Sequence, residues 1–232
     1  MNYKSALIVG AGAGLSASLA RAFAKEGIAV ALAARAPDKL AKLAADIGAR
    51  TFECDASQRY DVEALFKALD DAHATPDVVV YNASYRTRGP LVELVPAEVE
   101  KALMVTCYGG FLVGQAAAKA MLARGSGSIL LTGASASVKG YVNSAPFAMG
   151  KFGLRGLAQS MARELAPKNI HVAHFVIDGG IEAASGDTRA GGRGPDALLK
   201  PDAIAQSYLD IHRQHRSAWT WEMELRPWVE TF

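Results

Sequence analysis

Short, mostly apolar runs alternate along this chain with longer stretches whose apolar side chains recur every three or four positions. The short runs are "SALIVG" (5–10), "AVALAA" (29–34), "ARTFEC" (49–54), "DVVVYN" (77–82), "SILLTG" (128–133) and "IHVAHFVI" (170–177). Apolar residues in succession, rather than every second one, mark strands buried on both faces. The longer stretches predict helices. One covers 14–26 and is stopped by Gly27; another, "PDKLAKLAADIG", opens with Pro37 in its first turn and closes at Gly48. Val62, Leu65, Phe66 and Leu69 outline a third. Residues 96–123 predict a long helix or a helix pair. Residues 144–166 predict one more, with Phe147, Leu154, Leu157, Met161 and Leu165 on a single stripe.

Strand and helix units of this length, in strict alternation, imply right-handed crossovers and a parallel sheet with helices on both sides. The expected architecture is α/β, a single-domain Rossmann fold with a doubly wound parallel sheet of about seven strands. No linker, repeat or low-complexity tract divides residues 1–232. The aromatic tail "HRQHRSAWTWEMELRPWVETF" offers a last strand near Trp219–Leu225, placed at a subunit interface or as a cap on the sheet edge. The Gly-rich stretch 178–201 reads as a long loop at the carboxyl edge of the sheet, where ligands bind in such folds. A substrate lid and a surface insertion fit it equally well.

Composition narrows the partners. A net charge of +2 spread over alternating Lys, Arg, Asp and Glu offers nothing to nucleic acid or an anionic membrane. The two cysteines, Cys54 and Cys107, make neither a metal-ligand spacing nor a disulfide framework, and their apolar neighbours suit small core residues. The apolar run before Gly10 is too short for a signal peptide or membrane span, so a reducing cytoplasm is expected. His171 and His174 fall on opposite faces of a buried strand and read as core histidines.

The chemistry begins where the first strand runs into "GAGAGLSASLARAFAKEG". Gly10, Gly12 and Gly14 permit a tight turn and close backbone approach to a phosphate. Leu15 then opens a helix whose amino end attracts anions. From Leu7 to about Ile211 the chain resembles the short-chain dehydrogenase/reductase family. The family's turn, Thr-Gly-x-x-x-Gly-x-Gly, appears here as Val9, Gly10, Gly14 and Ser16, with its first residue and last glycine changed. The resemblance assigns a dinucleotide to Gly10, Gly14 and Leu15, and gives the segment after the fourth strand as Tyr81-Asn82-Ala83-Ser84. It puts Asp55 beside the adenine and Asp178-Gly179 beside the nicotinamide. Ile181 then makes a backbone contact to the carboxamide, and Ala183 stands where a threonine often follows. At the tip of the second strand Ala34 and Arg35 replace the acid that would hold the ribose of NAD. A planar guanidinium suits the extra phosphate of NADP, so the cofactor reads as NADP over NAD; a plain surface arginine is the other reading.

The family's catalytic set is a tyrosine, a lysine four residues later, a serine and an asparagine. Lysine and tyrosine share a helix face at that spacing. Lys151 is present, in "FAMGKFGLRGLAQSMARELAPKNIHV", and would hold the nicotinamide ribose. The tyrosine position is Phe147, the serine position is Ala134 with Ser135 one place off, and the asparagine position is Thr106. The closest match is the subgroup of the family that carries Phe before the retained Lys. General acid catalysis contributes about 10²–10⁴-fold, so three outcomes are open. A substitute phenol could come from Tyr141 or Tyr85; the substrate could take its proton from water; or catalysis could be lost with nucleotide binding retained. The resemblance further implies a small-molecule substrate and a homo-oligomer, dimer or tetramer. A Rossmann methyltransferase also uses a glycine-rich first turn, but it does not explain "YNAS" and Lys151 together.

Overall fold

Every strand of the expected set forms, and all pair in parallel. The computed structural model describes residues 4–183 and 187–231. Its one sheet runs β3 (Arg50–Glu53), β2 (Ala29–Ala34), β1 (Ser5–Val9), β4 (Val78–Tyr81), β5 (Gly127–Thr132), β6 (Ile170–Ile177) and β7 (Glu222–Leu225) in spatial order. The order turns back between β1 and β4, and the crevice at that switch lies beyond the carboxyl ends of the strands.

The continuous apolar texture of the strands has a direct cause. In β1, Ala6 and Ile8 pack with Leu19 and Phe23 of α1 (Leu15–Lys25) and with Tyr208 and Leu209 of α7 (Pro201–His212). Leu7 and Val9 face the other way, toward Leu65 and Leu69 of α3 (Arg59–Asp71), Val113 of α5 (Gly109–Arg124) and Leu154 of α6 (Ala145–Leu165). Both faces of the sheet are therefore core, and a polar residue at either phase would be buried. His171 and His174 do lie buried on opposite faces of β6. His171 stacks on Trp219 with ring centroids 4.7 Å apart, and Nε2 lies 2.9 Å from the Thr220 carbonyl.

Three elements differ in detail from the apolar pattern. The stretch 37–48 is a 3-10 turn at Pro37–Leu40 followed by α2 (Ala41–Ile47), ended by Gly48 in the left-handed region at φ 65°. Residues 96–123 form a pair, α4 (Pro96–Leu103) and α5, joined by a π turn at Met104–Tyr108. Helix α7 goes beyond the expected set: Ile204, Ala205, Tyr208 and Leu209 form a buried stripe, and Pro201 sits at its start. Inside 178–201, Ile181 bridges Leu199 in parallel and a 3-10 turn forms at Thr188–Ala190; residues 184–186 of that stretch lie outside the described part. None of the described helices is long and apolar enough to cross a membrane.

Candidate active site

Three adjoining cavities of about 430–440 Å³ each open along the carboxyl edge of the sheet. The first, at β1 and β2, is lined by Gly10, Gly12, Arg35, Lys39, Asp55, Asn82, Ala83 and Ser84 among others. The second shares Asn82 and Ser84 and adds Gly14, Leu15, Lys151, Gly179 and Ile181. The third shares Arg86, Phe147 and Gly179 with the second and adds Ser135, Tyr141 and Arg88. Gly10, Gly14, Leu15, Arg35, Asp55, Asn82, Ala83, Lys151, Gly179 and Ile181 thus lie on the first two cavities, while Asp178 lies on the outer one. Ser135 and Tyr141 lie on the outer one, and Lys151 on the middle one.

The turn after β1 fits a phosphate-bearing ligand. Gly10 has φ +81°, and a Cβ there would come within 2.5 Å of the Ala83 Cα. A Cβ on Gly12 or Gly14 would meet nothing within 4 Å, leaving a cradle beside the backbone. Helix α1 begins after Gly14 with no side-chain cap and no acid in its first turn, so its amino end is available to an anion. Ser16, where the family has glycine, is buried. Its hydroxyl donates to the Gly10 carbonyl at 3.1 Å and accepts from Asn82 Nδ2 at 2.8 Å. The altered residue therefore ties the turn to the end of β4. Asp55 accepts from Ser57 N at 3.0 Å and Ser57 Oγ at 2.7 Å, which fixes its carboxylate at the rim.

At the other end, Lys151 is 3% exposed and its Nζ donates to the Thr132 carbonyl at 2.6 Å. Burial, with Arg86 nearby as a second cause, lowers this amine to about 7. Phe147 occupies the preceding helical turn on the same face, its ring centroid 5.7 Å from Nζ. The Arg86 guanidinium lies over the same ring at 3.9 Å. No phenol stands there. Of the two substitute tyrosines, Tyr85 is ruled out by its contacts. Its hydroxyl donates to Glu98 at 2.5 Å, and Lys101 lies over its ring, so α4 holds it away from the cavity. Tyr141 is 47% exposed on the outer cavity wall.

Thr106, at the asparagine position, is fully buried in the π turn. Its Oγ1 accepts from Tyr85 N at 3.1 Å, and it packs against Gly150. It braces the backbone after β4 rather than facing the ligand. Cys54 is buried, and its thiol is pushed up to about 12 by burial, with Asp61 and Asp55 adding to the shift. Such a thiol is inert.

Two groups go beyond the residues expected from sequence. One is the cation pair Arg86 and Arg88, whose signal is the "RTR" that follows "YNAS". The other is a partly buried chain. Arg155 holds Glu222 through two bonds of 2.6 and 2.7 Å, Glu222 Oε2 lies 3.0 Å from His174 Nδ1, and His174 Nε2 lies 3.3 Å from Ser137 Oγ. The carboxylate fixes the imidazole proton on Nδ1, so Nε2 accepts the Ser137 hydroxyl proton. Ser137 Oγ accepts in turn from Ala134 N at 3.1 Å. Ser137 is fully buried, so the chain cannot act as a nucleophile on a substrate; it clamps the segment 134–137.

Burial lowers His174 to about 4 against the pull of Glu222, so the ring is neutral at pH 7. Burial alone would raise Glu222, but Arg155 and His174 outweigh it and hold the carboxyl below its ordinary value. Both shifts give stability that is lost on acidification: His174 contributes less as pH falls below about 6.5, and Glu222 as it falls through its depressed range. Glu222→Gln is expected to cost about 1–3 kcal/mol at pH 7, with the gap narrowing below pH about 4; urea melts across pH measure it.

A doubly wound sheet, a glycine turn over an uncapped helix and a buried lysine at the far end of one crevice define a dinucleotide-binding protein. The short chain dehydrogenase family description matches residues 4–188. A 3-dehydrosphinganine reductase of Arabidopsis thaliana is 34% identical over 178 residues, covering 73% of this chain and 53% of that protein. The chain thus spans about half the length of that relative. A short-chain dehydrogenase structure from Rhodopseudomonas palustris is 39% identical with a TM-score of 0.84, covering 98% of this chain and 100% of the other. A metagenomic short-chain oxidoreductase in complex with NADP is 27% identical with a TM-score of 0.84, covering 97% and 96%. The chain belongs to the short chain dehydrogenase family, a family of NAD(P)-dependent oxidoreductases.

Proposed function

We propose that residues 1–232 form one domain that binds NADP(H), or NAD(H) more weakly, and passes hydride to or from a small molecule without a tyrosine acid. The observation that carries this reading is Lys151, buried under the crevice and reached by no carboxylate among the described residues. Arg35 and Lys39 on the first cavity supply the preference for a 2′-phosphate. The NADP-bound metagenomic relative supports the same choice.

When bound, a reduced nicotinamide supplies hydride to an electrophilic carbon. The chain's own residues do the rest. The turn at Gly10–Leu15 takes the phosphates, Lys151 donates to the ribose, and Gly179 and Ile181 line the nicotinamide end. Lys151 places positive charge where a reduced carbonyl or conjugated alkene becomes anionic. The proton that completes reduction comes from water or from Tyr141. The protein is proposed to work in the cytoplasm as a dimer or tetramer. Exposed Tyr108, Phe111, Met149 and Phe152 around α5 and α6 favour such an assembly.

The test is a titration with NADPH and NADH followed by tryptophan fluorescence, then turnover with ketones, alcohols and enones. Saturable binding, tighter for NADPH, is expected. Because the protonated amine is the form that phosphates and ribose oxygens favour, affinity falls as pH rises through about 7. The loss is up to about tenfold per unit, and Lys151→Met removes the dependence. No binding of either nucleotide at millimolar concentration overturns the proposal.

A further inference from the structure

Charges around the two outer cavities do not balance. On the third cavity, Asp178 already pairs with Lys139 at 3.3 Å and Arg226 at 3.1 Å, and Glu230 pairs with Arg193 at 3.0 Å. On the second, Glu182 pairs with Lys200 at 2.9 Å, and Arg189 is held by Asp187. Every lining carboxylate is committed to a cation. Three lining cations, Arg86, Arg88 and Lys151, have no carboxylate partner among the described residues. Arg86 lines both cavities, makes no hydrogen bond among the described residues, and sits over the Phe147 ring, 3.9 Å from its centroid. The guanidinium thus sits against an aromatic ring while none of its N–H groups is taken by a hydrogen bond among the described residues. Arg88, two residues on, lines the same outer cavity, and its charge acts on Arg86.

We propose that Arg86 and Arg88 form a subsite for an anionic group of the substrate, a carboxylate or a phosphate, on the side of Phe147 away from the nucleotide turn. The inference rests on the reading of the crevice as a hydride-transfer site, because it places the anion next to the nicotinamide end. A planar fork on an aromatic platform is built to take two oxygens side by side. With Phe147 in place of a phenol, substrate orientation falls to this pair. The anion's tail is fixed at Arg86, and the electrophilic carbon is presented over Lys151.

The experiment is calorimetry of the protein loaded with NADP+, which cannot reduce a ketone, with four ketones: acetoacetate, its neutral ethyl ester, dihydroxyacetone phosphate and dihydroxyacetone. The anions are expected to bind at least about tenfold more tightly than their neutral partners. The preference between the first and third ligands tells carboxylate from phosphate. Arg86→Gln is expected to weaken the anions by about tenfold or more and to leave NADPH within about twofold. Arg86→Lys recovers only part, since an ammonium keeps charge and loses the fork. Arg86 is exposed and makes no hydrogen bond among the described residues, so both variants are expected to fold, as circular dichroism checks. Equal binding of esters and acids overturns the subsite. So does a Gln variant that loses NADPH affinity instead, because Arg86 would then serve the nucleotide's pyrophosphate. Should NADPH itself not bind, the hydride-transfer reading fails. The same titrations on the free protein then decide the subsite alone, by whether acetoacetate or dihydroxyacetone phosphate still responds to Arg86→Gln.

Discussion

Phe147→Tyr is expected to raise kcat/KM for ketone reduction by about 10²–10⁴-fold, the range that a positioned general acid supplies. The helix already presents this residue correctly. Phe147 and Lys151 lie one turn apart on α6, with the amine 5.7 Å from the ring centroid. A phenol there would lie near two cations, Lys151 and Arg86, and both stabilise its ionised form. Adding Ala134→Ser supplies a second donor from the segment that Ser137 clamps. Steady-state rates with NADPH and a ketone, for the wild type and both variants, measure the effect. No gain in either variant, with NADPH still bound, would mean that the crevice retains a nucleotide and has lost its substrate geometry. The scaffold would then act by binding alone.

Gly10→Ala is expected to be the most damaging single methyl in the nucleotide site. Its φ of +81° is strained for alanine, and the added carbon would stand 2.5 Å from the Ala83 Cα and 2.7 Å from its Cβ. Neither neighbour is the end of a flexible side chain, so the crossing of β1 over the segment after β4 must open. A loss of about 2–4 kcal/mol in stability is expected, with at least about a hundredfold loss in NADPH affinity. Gly12→Ala supplies the contrast. Its Cβ would meet nothing within 4 Å, so stability should hold within about 0.5 kcal/mol while the methyl intrudes on the ligand. Thermal melts and nucleotide titrations on the pair separate fold from site. Equal destabilisation by both would contradict the cradle described above.

Which features were legible in the sequence follows from which are local. Strands buried on both faces print as apolar runs, so β1, β2, β4, β5 and β6 were readable; the edge strands β3 and β7 are largely exposed or half-buried, and β7 was readable only as a looser span, Trp219–Leu225 against Glu222–Leu225. Gly10 and Lys151 were readable because their neighbours carry a turn and a helix face. Helix α7 carries a proper stripe but follows a Gly-rich stretch that hides its start. The π turn leaves no periodic mark, because one extra residue in a turn shifts the stripe without erasing it. Tyr85 illustrates the limit most clearly. Its place at the sheet edge suggested chemistry, yet Glu98 on another helix decides where the hydroxyl goes. The clamp on Ser137 joins residues 37 and 48 positions apart, a separation no local pattern encodes. Arg86 and Arg88 were visible as letters, but their lack of carboxylates is a statement about space.

That clamp has a consequence for how the molecule is born. Glu222 sits on β7, at the sheet's outer edge next to β6 and far along the chain from β4. The nucleotide turn, by contrast, is closed by β1, β2 and β4, all of which precede Asn82. A ribosome-bound polypeptide can therefore assemble the half that grips adenosine well before residues 134–137 acquire their anchor. Maturation of the reactive half waits until β7 has been made and has paired with β6.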